Sequence, residues 1–225
     1  LLSIVSAHPR VWAIGPETNV FCPCGYGPAP DLEASLELDL SFYQFFDGLV
    51  DGGAYDRWCE KTPRNILFFP RVMELFDGRV RLLQIIRDGR DVVVSRHPVD
   101  QSKYWVSIER WVRDVEAGVA MMDHPLVHTV RYEDLIRDND RVVRGICEFL
   151  ELEHGPEMAD WHKHAKVREN PAWEGQVKPL FESSIGRWRR PEHAARVAEL
   201  MSNERAVALL ERLGYLGGEG RGPSR

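Results

Sequence analysis

The chain has 225 residues, 44% hydrophobic and 28% charged, a balance that supports one globular domain with a real core. Its 29 Lys and Arg against 35 Asp and Glu give a net charge of −6, which argues against a nucleic-acid partner but leaves room for a local anion pocket. Apolar runs such as Ile66-Leu67-Phe68-Phe69 are far too short to cross a bilayer, so no membrane segment is expected.

Leu1-Leu2-Ser3-Ile4-Val5-Ser6-Ala7 opens the chain as an apolar helical run with no initiator Met and no capping residue ahead of it, so an upstream piece is expected. His8-Pro9 follows, and residues 15–30, rich in Gly and Pro, read as a loop carrying Pro16-Glu17-Thr18-Asn19. Residues 31–58 have a weak helical pattern. Thr62-Pro63 then leads into a helical pattern with Ile66, Leu67, Phe69, Val72 and Phe76, which Pro70 must kink or restart and Gly78 ends. Arg81-Leu82-Leu83-Gln84-Ile85-Ile86 is a short apolar run between turn and charge signals, as expected of a strand buried on both faces in a parallel sheet. A helix starting near Asp88 follows it.

Residues 102–121 place Trp105, Ile108, Trp111, Val112, Val115 and Val119 on one helical stripe, which makes them core. Leu126-Val127-His128-Thr129-Val130 reads as a second strand, and Asp138-Asn139-Asp140 caps a helix with Val142, Val143, Ile146, Phe149 and Leu150 on one face. Residues 151–190 read as loop-rich, and 191–213 as a last amphipathic helix. Strand, helix, strand, helix in that order gives an α/β layered fold, with one domain expected over 1–214 and a tail over 215–225 that is disordered by composition.

Cys22, Cys24, Cys59 and Cys147 are too few and too irregular for a disulfide scaffold or a four-ligand zinc site, so a reducing, cytoplasmic setting is expected. Cys22-Pro23-Cys24 and the His162/His164 pair each lack the further ligands that a metal would need.

In Ile86-Arg87-Asp88-Gly89-Arg90-Asp91-Val92-Val93-Val94-Ser95-Arg96, an arginine at a strand end and a serine eight residues later flank a turn into a helix. Backbone N–H groups, a guanidinium fork and a hydroxyl at such a junction can converge on a phosphate beyond the carboxyl ends of parallel strands. A surface ion-pair cluster of Arg87, Asp88, Arg90 and Asp91 fits the same spacing equally well.

This segment resembles the 3′-phosphate-binding segment of sulfotransferases that use 3′-phosphoadenosine 5′-phosphosulfate (PAPS). Three further segments resemble that family in its own order: Glu60-Lys61-Thr62-Pro63, Val130-Arg131-Tyr132-Glu133-Asp134-Leu135, and Val177-Lys178-Pro179 with Trp188 ten residues after the lysine. The tyrosylprotein-sulfotransferase-like branch is nearest, because Ser6-Ala7-His8-Pro9 and Glu17-Thr18 also fit it. The resemblance implies a P-loop-type α/β fold, a parallel sheet flanked by helices. The family's first strand and Gly-x-Pro-Arg-Ser-Gly-Thr-type phosphosulfate loop have no counterpart, so the domain is expected to be N-terminally truncated.

The resemblance further implies that Arg87 and Ser95 bind the 3′-phosphate, Tyr132 lines the nucleotide site, and Lys178 approaches the 5′-phosphate. Glu17 matches the general base, and Lys61 would stabilise charge on the leaving oxygen, with no metal required. On the residues alone, Ser95 reads equally as a helix-surface hydroxyl, Tyr132 as a half-buried aromatic, and Glu17 and Lys178 as solvated loop residues. Lys61, a cation just ahead of a helix start, is electrostatically the wrong sign there and needs another reason. The implied activity is sulfuryl transfer from PAPS to an acceptor hydroxyl: peptide tyrosine, carbohydrate or small molecule. Residues 15–58 and 155–175 would shape the acceptor pocket. A kinase-like transferase would need a Gly-rich loop with its lysine, which the chain does not offer. A non-catalytic remnant domain that binds nucleotide is the other alternative.

Overall fold

The computed structural model describes residues 1–22, 41–97, 99–167 and 182–217, with the backbone alone at 41 and 42. Helix α1 (Leu2–Val5) leads to strand β1 (Val11–Ala13), helix α2 (Ser41–Asp51), strand β2 (Arg57–Cys59), helix α3 (Phe69–Leu75), strand β3 (Leu82–Ile86) and helix α4 (Gly89–Val93). Helix α5 (Ile108–Ala120), strand β4 (Val127–Arg131), α6 (Tyr132–Arg137), α7 (Asn139–Phe149), α8 (Pro156–Ala159), α9 (Trp161–His164), α10 (Ala194–Met201) and α11 (Glu204–Arg212) complete the order. The strands form two pairs, β1–β2 and β3–β4. The first is parallel, with Val11, Trp12 and Ala13 opposite Arg57, Trp58 and Cys59.

The described residues fall into two compact units. One lies within Leu1–Gln84, His124–His128 and Asp138–Pro179, the other within Ile85–Asp123, Thr129–Arg137 and Leu180–Arg225. The first holds an aromatic nest in which Tyr43 stacks on Phe21 at 4.8 Å and on Trp58 at 5.0 Å, with Phe76 edge-on to Trp58 at 5.9 Å. Beside β1, the Lys166 ammonium donates to the carbonyls of His8, Pro9 and Val11 at 2.9, 3.3 and 3.0 Å, while burial lowers its pKa. The second unit has an aliphatic core in which Ile86, Val93 and Val94 meet Trp111 and Val112 of α5 and Leu200, Leu209 and Leu210 of α10 and α11.

Pro70 restarts the helix: a 3₁₀ turn over Pro63–Phe68 passes into α3 with the proline in its first turn, where its missing N–H costs nothing. Past α3, Asp77 and Gly78 take positive φ of 48° and 69°, so Gly78 supplies the left-handed exit. Asp88 is the N-cap of α4, accepting from the Arg90 N–H.

Several expectations change. Residues 57–59 are strand, because parallel pairing with β1 overrides a weak local preference. Strand β3 is buried on one face only: Leu82, Gln84 and Ile86 point inward while Ile85 is 45% exposed. Trp105 lies outside α5, which Ser107 caps by accepting from the Arg110 N–H at 3.1 Å. The last helix is two helices, since Asn203 caps α11 by accepting from the Ala206 N–H. Tyr215 and Leu216, at the start of the expected tail, pack on the core, and 218–225 lie outside the described residues.

Two predictions follow from packing. A Cβ on Gly89 would intrude on the buried Trp111 ring, so Gly89→Ala should cost about 1–3 kcal/mol by overpacking, read as a fall of several degrees in Tm; an unchanged Tm would show that the ring yields freely. His8 accepts the Arg10 N–H at Nδ1, so its Nε2–H donates to the Glu153 carbonyl, and the ring is neutral. Burial lowers the pKa of His8 and of His128. The unfolded chain therefore binds more protons than the folded one once the pH falls below the ordinary imidazole value, and stability is lost in that direction. Denaturant titrations should give a lower midpoint at pH 5.5 than at pH 7.5, with a shallower dependence in His128→Gln; an unaltered dependence in that variant would exclude His128 as a source.

Candidate active site

Arg87 leaves the end of β3 just before α4. Its Nη2 donates to the Ser184 carbonyl at 2.5 Å, and its guanidinium lies over the Tyr132 ring at 4.6 Å from the centroid. Its buried Nε has no hydrogen-bond partner among the described residues. Tyr132 is the first residue after β4, and its hydroxyl lies 2.8 Å from Ser184 Oγ. Arg87 and Tyr132 are thus brought together on Ser184. Ser95, beyond the end of α4, spends its hydroxyl on the Asp91 carbonyl at 2.9 Å. Lys178 lies outside the described residues.

The turn between them is tightly tied. The Asp88 N–H donates to the buried Glu133 carboxylate at 3.0 Å, and the Tyr215 hydroxyl donates to the other oxygen of that carboxylate at 2.9 Å. The Arg90 guanidinium pairs with Asp88 at 2.8 Å, stacks on the Trp188 ring at 4.0 Å and donates to the Tyr215 carbonyl at 2.9 Å. Asp91, 1% exposed, accepts the Gly186 N–H at 2.7 Å and the Trp188 N–H at 3.0 Å. Burial and the Glu133 charge together push the Tyr215 phenol far above its ordinary pKa.

In the other unit, Lys61 follows β2 and forms an ion pair with Glu17. This is the reason that the lysine needs: a cation ahead of a helix start is disfavoured until an anion faces it. Glu60 holds both segments. One carboxylate oxygen accepts from the Thr18 N–H at 3.4 Å, the Thr18 hydroxyl at 3.0 Å and the Thr62 hydroxyl at 2.5 Å, and the other accepts from Asn65 Nδ2 at 2.6 Å. The Asn19 N–H donates back to the Thr62 hydroxyl at 3.2 Å. Sequence reasoning pointed to Glu17 and Lys61 but passed over Glu60, whose position beside the lysine was the available signal. It also gave Ser184 and Asp91 no part in the site. Among the described residues no group of three His, Cys, Asp or Glu side chains could hold a metal, and no helix is long and apolar enough to cross a membrane.

Strands that lead into helices, with ionisable side chains just past the strand ends, define an α/β protein. The sequence matches the sulfotransferase family over residues 28–156, more than half of the chain, and the chain belongs to that family. Its fold is similar to a sulfotransferase from Alicyclobacillus acidocaldarius, with TM-score 0.54, 16% identity and coverage of 95% of this chain and 90% of that one. It is also similar to a mouse sulfotransferase complexed with PAP, with TM-score 0.50, 13% identity and coverage of 93% and 82%. A sulfotransferase domain from the curacin biosynthetic pathway gives a TM-score of 0.45 at 14% identity, and this chain spans 66% of its length. No curated protein matches the sequence.

The Glu60 bonds make a direct prediction. Glu60→Ala should cost about 2–3 kcal/mol, because it strands donors from two segments. Glu17→Ala, which removes the partly exposed ion pair with Lys61, should cost less than that. Chemical denaturation of both variants checks this, and equal costs would show that Glu60 does not hold the segments together.

Proposed function

We propose that this chain is a PAPS-dependent sulfotransferase. The observation that carries the reading is the buried Nε of Arg87 beside Tyr132, which has no hydrogen-bond partner among the described residues. A guanidinium held at a strand end by one carbonyl and a ring face retains donor capacity suited to a phosphate. Arg87 takes the 3′-phosphate, Ser95 joins it by turning its hydroxyl from the Asp91 carbonyl to the ligand, Tyr132 lines the nucleotide, and Lys178 serves the 5′ side. PAP, the partner of the mouse neighbour, is the desulfated form of this nucleotide.

In the reaction proposed here, the acceptor hydroxyl oxygen attacks sulfur in line and forms the new S–O bond. Glu17 takes the hydroxyl proton. The S–O bond to the 5′-phosphate breaks, its electron pair leaves on the phosphate oxygen, and Lys61 stabilises that charge, giving adenosine 3′,5′-bisphosphate. The acceptor is a peptide tyrosine, a carbohydrate or a small-molecule alcohol or phenol.

Calorimetry tests the donor: adenosine 3′,5′-bisphosphate should bind at least about tenfold tighter than adenosine 5′-monophosphate, and Arg87→Ala should remove most of the difference. Equal affinity for the two would sink the assignment. Sulfuryl transfer to a panel of phenols, tyrosine peptides and sugars tests the base, since Glu17→Gln should lower kcat by roughly 10²–10⁴-fold with little effect on nucleotide binding. Nucleotide binding without transfer to any acceptor would favour the non-catalytic alternative.

A further inference from the structure

We infer that Asp91 is a positioning residue that sets selectivity for the 3′-phosphate, acting through Ser184; this rests on the nucleotide site proposed above. Arg87 and Tyr132 lie on separate elements, at the end of β3 and the start of α6. They meet on one residue, Ser184, whose carbonyl accepts from Arg87 and whose hydroxyl pairs with Tyr132. Ser184 ends a 3₁₀ turn and is followed by Ile185 and by Gly186 in the left-handed region at φ 75°. A short turn of that kind has no regular ladder of its own to fix it.

What fixes it is Asp91. Its two carboxylate oxygens each accept one backbone N–H, from Gly186 and from Trp188, and both bonds reach the turn just past Ser184. A carboxylate with 1% exposure makes such charge-assisted bonds stronger than exposed neutral ones. Asp91 sits in the middle of α4, the helix that begins directly after Arg87 and Asp88. The carboxylate that holds the Ser184 turn thus lies on the helix that follows, after Asp88 alone, the arginine that Ser184 restrains. The Arg90 guanidinium on the Trp188 ring adds a second tie between the same helix and the same turn. If the turn shifts, the Arg87 fork loses its Nη2 anchor and Tyr132 loses its hydroxyl partner, and the Nε no longer presents to a ligand at a fixed angle.

The test uses the full chain with adenosine 3′,5′-bisphosphate and adenosine 5′-monophosphate as probes. In Asp91→Asn one acceptor oxygen becomes a donor facing a backbone N–H, so the bisphosphate-over-monophosphate ratio should fall roughly tenfold while monophosphate affinity stays within about twofold. Gly186→Ala, which strains the left-handed turn and displaces the Arg189 guanidinium while leaving the Asp91 carboxylate in place, should lower the same ratio and keeps the inference testable if Asp91→Asn does not fold. A parental ratio in either folded variant overturns the inference, and so does an equal loss for both nucleotides, which would mark Asp91 as structural only. A parent chain with no preference for the bisphosphate overturns the site reading itself, a result that is separable from the variants because it appears before any substitution is made.

Discussion

A single buried carboxylate, Glu133, sets the geometry of the turn between β3 and α4. It lies just after β4 and accepts the backbone N–H of Asp88, just after β3, so the ends of two strands are fixed to each other through a side chain. That N–H belongs to the N-cap residue of a helix of five residues, too short to hold its own start firmly. Burying an anion there is tolerable because its other oxygen receives the Tyr215 hydroxyl, while Arg131 stacks over the Tyr215 ring at 4.4 Å and donates to the Leu213 carbonyl at 2.7 Å. Leu213 and Tyr215 are therefore part of the support for the turn that follows Arg87.

The same device recurs in the other unit with a different cast. Glu60 gathers donors from the loop that carries Glu17 and from the segment that carries Lys61, much as Asp91 gathers backbone N–H groups from the turn that carries Ser184. In each case one carboxylate orders segments that lack a ladder between them. Irregular backbone is what lets side chains converge, and its unsatisfied donors must be paired from outside the regular elements. Carboxylates suit the task because each oxygen can accept more than one hydrogen bond.

How much of this was legible in the sequence depends on the length of the signal. Strands β3 and β4 and helices α5 and α7 carry apolar patterns long enough to identify, and Asp88 marks the start of α4 by its chemistry. Strands β1 and β2 span three residues each, too few for alternation to emerge, and exist because they pair with each other. Helix α6 starts at the residue after β4 ends, so no turn signal separates them. The break between α10 and α11 was marked by Asn203, yet the apolar stripe runs across it. Lys61 was legible as an anomaly of sign, and Glu17 resolves it. Ser184 was not legible at all: its contact with Arg87 joins residues 97 apart in sequence, and nothing local announces it.

The half-exposed setting of the Glu17–Lys61 pair matters for the proposed chemistry. Their side chains are 23% and 31% exposed, so water screens the attraction and parting them costs about 1 kcal/mol or less. A fully buried pair would cost several kcal/mol to separate and would resist the exchange of partners that the reaction requires. In that reaction Glu17 gives up the ammonium for a proton, and Lys61 gives up the carboxylate for a phosphate oxygen, so each ends the step with its charge matched. The backbone need not move for this. Thr18, Thr62 and Asn65 are held by Glu60, and Asn19 by Thr62, so the backbone on both sides of the pair is tied in place.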